Sequence, residues 1–179
     1  LGGALALGCT WRYGAAYSLP DGLFGMSWAA LLALAVCGIL LSVALLDAET
    51  QTIPDRLNAA LAVCGVLSVL LDPAAWGAHL IGALCVSVPM LLLCLLIPGA
   101  FGGGDIKLMA AAGLFLGWQH TLLAMFFGIL GGGFYGIYLL AAKKADKKDH
   151  FAFGPFLCAG IVIAMLAGQP ILAWYFRSL

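Results

Sequence analysis

The amino-acid sequence predicts an all-α, polytopic transmembrane helix bundle of six to seven spans, and three observations carry that prediction. Of 179 residues, 64% are hydrophobic and only 9% are charged, with a mean hydropathy of +1.11; a soluble domain needs far more charge to cover its surface. The few charges fall mostly between long apolar runs. Those runs lack apolar/polar alternation, which argues against a β-barrel, and their many Gly and Ala residues suit closely packed helices. The net charge is zero, so charge gives no argument for nucleic acid, and the expected surrounding is a lipid bilayer.

The runs lie at about 1–17, 23–46, 57–71, 77–97, 106–118, 121–141 and 152–175. The first opens on Leu1, and no charged stretch leads a short apolar segment into a small-residue cleavage site, so no removable signal peptide is expected. Crossing the hydrocarbon core takes about 20 apolar residues. The second, fourth, sixth and seventh runs meet that length. The third and fifth fall short, so they must borrow flanking residues, thin the bilayer or stop short of a full crossing. The third run is announced by Pro54 and Asp55, a proline at the first helical position and an acid in the first turn. The fifth follows Pro98 and three glycines, and the seventh follows KKADKKD at 143–149, a solvated loop that sets orientation. No long linker divides the chain, so 1–179 is expected to be one membrane-embedded domain.

Alternating spans put the loops around 47–56, 98–105 and 142–150 on one face. Arg56, Lys107, Lys143, Lys144, Lys147 and Lys148 lie on it, against Arg12 and Arg177 on the other, so the positive-inside bias makes it cytoplasmic. The same counting places Asp47 and Asp105 on one side.

The six cysteines, Cys9, Cys37, Cys64, Cys85, Cys94 and Cys158, are scattered singly through apolar segments with no C-x-x-C pair, which reads as small packing residues. His79, His120 and His150 are far apart, have no metal-ligand spacing, and put two of their number near the opposite face; no metal is expected. The serines lack a G-x-S-x-G setting, and GGGDIKL at 102–108 lacks the G-x-x-x-x-G-K-[ST] pattern of a phosphate cradle.

Chemistry therefore falls to the acids Asp47, Glu49, Asp55 and Asp105, because ionisable groups near a membrane core are costly and default to function. Asp105 has a competing reading as the N-cap of the helix it precedes, and Asp55 as a helix-start acid. Asp47 is harder to explain away: it ends an apolar run, where a carboxylate faces the negative end of the helix dipole. Two carboxylates brought close cannot both ionise easily. Such a pair activates water, one acid taking its proton and the other donating to a carbonyl. Gly102, Gly103 and Gly104 lack Cβ, so unusual dihedrals or a close approach to Asp105 become possible.

These residues resemble a known family, the type IV prepilin peptidases, which are membrane aspartic proteases with a G-x-G-D motif. GGGDIKL at 102–108 fits G-x-G-D-x-K-L, and DAETQTIPD at 47–55 fits D-x-[DE]-x-x-x-[IL]-P-D; FGPF at 153–156 and LGW at 116–118 resemble further family segments. The resemblance covers about 1–165. It implies Asp47 and Asp105 as the catalytic pair, with Glu49, Asp55, the three glycines and Lys107 shaping the site or binding substrate. It also implies a bacterial inner-membrane enzyme that cuts basic leader peptides from prepilins and pseudopilins on the cytoplasmic side, with no cofactor for proteolysis. An acidic face around Glu49 and Asp55 would suit such a leader. Many family members carry a methyltransferase-type cytoplasmic segment ahead of the part matched here, often with paired C-x-x-C motifs. Methyl transfer is left open for these residues, and S-adenosylmethionine is implied only if that activity exists.

Two other readings compete. A presenilin-like protease that cuts within membrane spans would carry P-A-L where FGPF stands. A proton-coupled transporter would distribute its acids along a path through the bilayer and show inverted repeats, whereas here the acids cluster at one face.

Overall fold

The structure, a computed structural model, describes residues 28–97, 101–141 and 152–177. The first apolar run and the KKADKKD loop lie outside the described residues. Every apolar run within them forms helix, and no strand occurs among them. The helices are α1 (Trp28–Thr50), α2 (Asp55–Leu71), α3 (Trp76–Cys85), α4 (Ser87–Leu96), α5 (Gly103–Leu116), α6 (Trp118–Ala141) and α7 (Gly154–Arg177), with a 3-10 turn at Pro73–Ala75 leading into α3.

Four segments are long and apolar enough to cross a membrane: Ala29–Thr50, Pro73–Leu96, Trp118–Leu139 and Gly154–Tyr175. The two short runs stay short, as α2 with 17 residues and α5 with 14. The run at 77–97 is interrupted at Val86. Pro89 accounts for the break: it has no N–H to donate and its ring opposes the carbonyl of Cys85, four residues back, where α3 ends.

At the centre of the bundle, α5 packs against α2, α3, α4, α6 and α7. Leu108, Met109, Ala111, Ala112 and Phe115 on it are buried, which is why its sequence is apolar all round rather than along one stripe. Close approach depends on missing side chains, since in lipid helices associate through packing rather than through exclusion of water. Where α3 crosses α5, a Cβ on Gly82 or on Gly113 would collide with the backbone of the other helix. Leu95, Leu96, Phe134 and Ile137 point outward, as lipid-facing positions do. At the end away from Asp47 and Asp105, Trp76, Trp118, Trp174 and Tyr175 are exposed, a placement suited to a membrane interface.

Candidate active site

Three helix ends converge at one end of the bundle. α1 finishes with Gln51 in a left-handed conformation (φ 53°), its N–H bonded to the Asp47 carbonyl at 2.9 Å, a common way to stop a helix. That places Asp47 in the last turn of α1, pointing inward. Asp105 enters from the first turn of α5, and the first turn of α7 completes the convergence.

Asp105 is not the N-cap. α5 starts at Gly103 with Gly102 as its N-cap, so Asp105 sits three positions after the cap and reaches back to the Gly102 amide. This is the carboxylate half of a capping box. Burial first, and then the negative charge of Asp47, push the Asp105 carboxyl up to about 6, against the Gly102 hydrogen bond, which favours the ionised form. Asp47 and Asp105 are only 5% and 7% exposed. Acids so buried normally carry a counter-charge, and the nearest basic residue in sequence does not provide it: Lys107 donates to Asp55 Oδ1 at 2.7 Å, out on the surface. Asp47 instead accepts from the Gly154 N–H at 2.9 Å.

The glycines divide. A Cβ on Gly104 would lie 2.9 Å from Cβ of Ile53, and one on Gly102 would lie 3.1 Å from Asp105 Oδ2, whereas Gly103 faces open space. The approach at Gly104 brings the two motifs together, Ile53 of DAETQTIPD against GGGD, with the Asn58 amide reaching the Gly104 carbonyl at 3.4 Å. Close approach is therefore what Gly102 and Gly104 supply. None of the three has a positive φ, so the expectation of unusual dihedrals is not met.

Glu49 is exposed in the last turn of α1. Asp55 opens α2 behind Pro54, which is the N-cap rather than the first helical residue, and its ion pair with Lys107 lies on the far side of α5 from Asp105. Sequence reasoning missed the first turn of α7. Beyond Gly154, it sets Cys158 within electrostatic reach of both carboxylates, and Phe153 against Phe101 with ring centroids 5.8 Å apart. The FGPF segment was the available signal, but its spacing says nothing about which way the turn faces. No group of three metal-ligating side chains occurs among the described residues.

At the opposite end a cavity of about 590 Å³ is lined by Ser68, Asp72, His79, Gln119, His120 and Gln169, among others. Ala29, which also lines it, is eighteen residues before Asp47 on α1, so the cavity is about 27 Å from the acids at 1.5 Å per residue.

A family model described as the type IV leader peptidase family matches residues 34–137. The chain is 32% identical over 161 residues to a prepilin leader peptidase/N-methyltransferase of Legionella pneumophila, covering 85% of this chain and 55% of that protein. It is 30% identical over 155 residues to the protein of that name from Bacillus subtilis (strain 168), covering 86% and 62%. Against the one from Aeromonas hydrophila it is 32% identical over 157 residues, covering 84% and 54%. The chain thus spans between about half and three-fifths of these relatives. No solved structure matches it significantly.

Proposed function

The chain belongs to the type IV leader peptidase family, and from that premise we propose that it is a membrane aspartic endopeptidase cleaving the leader peptides of prepilins or pseudopilins, with Asp47 and Asp105 as its catalytic pair. The observation that carries this reading is the meeting of two buried carboxylates, 58 positions apart in sequence, with Asp105 held near a pKa of 6 partly by the charge of Asp47.

In the proposed reaction the ionised carboxylate, Asp47, takes a proton from water as the oxygen attacks the scissile carbonyl carbon. Protonated Asp105 donates to the carbonyl oxygen. The tetrahedral intermediate then collapses as Asp47 passes its proton to the leaving amine and a hydroxyl of the intermediate returns a proton to Asp105, which breaks the peptide bond, leaves a carboxylic acid product and restores the pair to its starting state. A group poised near pH 6 exchanges protons readily at neutral pH, which suits this alternation. The acids lie at the end of the bundle to which the positive-inside count assigns most of the basic residues, which supports a cytoplasmic site, and the substrate's apolar stretch would remain in lipid.

The second activity in the relatives' names would need S-adenosylmethionine. No donor set for such a group is identified among the described residues, and no methyl-transfer step is assigned to them.

Cleavage of a purified prepilin by the detergent-solubilised protein tests the reading. Asp47→Asn and Asp105→Asn are near-isosteric but cannot ionise, and each should lower kcat by at least about 100-fold while the protein still folds and binds substrate. Wild-type cleavage by either variant would remove that aspartate from the mechanism.

A further inference from the structure

The first four N–H groups of a helix lack partners within it, and in a membrane protein each needs one. In α7 the account closes in an unusual way. Phe156 and Leu157 donate to the Phe153 carbonyl at 3.1 and 3.2 Å, and Pro155 has no N–H to satisfy. The remaining donor, Gly154, bonds a side chain 107 residues away in sequence, Oδ2 of Asp47, at 2.9 Å.

The position is also sterically committed. A Cβ on Gly154 would lie 2.6 Å from Asp47 Oδ2 and 2.9 Å from its Cγ, closer than carbon and oxygen can stand without one of them moving. The positive end of α7 thus faces a carboxylate that its own helix α1 presents to the negative end of a dipole. Cys158, one turn on, is 3% exposed and lies within electrostatic reach of both acids, so this face of α7 is turned toward the pair and not only toward Asp47.

We propose that Gly154 is a positioning residue for the catalytic pair: its amide pins one oxygen of Asp47, leaving the other to face the attacking water, and its missing Cβ is what allows that carboxylate to stand against the end of α7. The proposal rests on the aspartic-peptidase reading and deepens it by assigning the third helix end a task. In this role Gly154 acts through Asp47, the group its amide bonds.

The test is Gly154→Ala in the full chain, assayed for prepilin cleavage and for thermal stability in detergent. Displacing a reacting group by about 1 Å costs on the order of 100-fold in rate, so kcat should fall by tens to hundreds of times with KM little changed, a split that general loosening of the bundle would not give. The melting temperature should also fall by several degrees, and most of that loss should vanish in an Asp47→Ala background, where the carboxylate is gone. Wild-type kcat in Gly154→Ala overturns the proposal, as does an equal stability cost in both backgrounds. If Gly154→Ala alone fails to fold, recovery of folding in Gly154→Ala/Asp47→Ala supports it and no recovery overturns it. Loss of cleavage in Asp47→Asn alongside normal cleavage in Gly154→Ala would sink this inference alone. Normal cleavage in both would sink the peptidase reading beneath it.

Discussion

At its N-terminus α5 carries Asp105, a buried acid whose neighbours are another acid and a backbone amide. At its C-terminus the same helix is met by polar side chains that do something different: Nδ1 of His79 bonds the Leu114 carbonyl at 2.8 Å, and the Ser68 hydroxyl reaches the Phe115 carbonyl at 3.4 Å. Those carbonyls belong to the last turn, which has no partners inside the helix. Next to them, Gly117 turns the chain at φ 77° and its own carbonyl accepts from the Thr121 hydroxyl at 2.7 Å. Polar burial at this end completes a helix terminus. At the Asp105 end it places two like charges together, a cost the fold has no structural reason to bear. The contrast separates residues that hold α5 in place from the residues proposed to act, although all of them are polar and at least partly buried.

The sharpest way to break that comparison is His79→Ala. It leaves the Leu114 carbonyl without its side-chain partner, and a buried unsatisfied group costs about 1–3 kcal/mol. Melting in detergent should drop accordingly, while kcat per folded molecule stays at the wild-type value. A selective loss of kcat would mean that the far end takes part in the reaction after all.

A smaller effect should appear in pH-dependent stability. The folded-state pKa of Asp105 is raised above the unfolded value, so folding favours the protonated form. Its destabilising effect is absent below the unfolded pKa, grows as pH rises from about 4 toward about 6, and is complete above that. Wild type should therefore lose stability relative to Asp105→Asn between those limits, on the order of 1 kcal/mol, measured as melting temperature from pH 4 to pH 8. Curves that run parallel throughout would show that Asp105 is not held protonated by the fold.

The smallest effect concerns the rim. Glu49 is exposed two residues beyond Asp47, and if the substrate leader is basic, Glu49→Arg should raise KM a few-fold at low salt with kcat unchanged and the difference fading as salt is added. Asp55 is expected to contribute less, because Lys107 already neutralises it. Unaltered KM would confine electrostatic recognition to other residues.

Much of this was legible in the sequence. Long apolar runs fixed where the helices lie, since in lipid a segment must satisfy its own backbone, and counting the spans put Asp47 and Asp105 at one end. The break at Val86 was not anticipated, although Pro89 is visible in the sequence, because its effect falls four residues upstream. Lys107 entered through its place in the G-x-G-D-x-K-L motif, and motif spacing did not reveal its partner: two residues along a helix turns a side chain to nearly the opposite face, and there Lys107 meets Asp55. Likewise His79 and His120, read as isolated residues, line one cavity.

Sequence by itself determined the class of protein and the helical segments and singled out the two candidate acids, because apolar length and the position of charge along the chain are local properties. Tertiary structure decided what each acid meets. Whether Asp47 faces water, a cation or the amide of Gly154 depends on how closely three helix ends approach, and that distance is set by interhelical contacts such as Gly82 on Gly113 and Ile53 on Gly104. Those contacts join residues tens of positions apart, and nothing in local spacing specifies them.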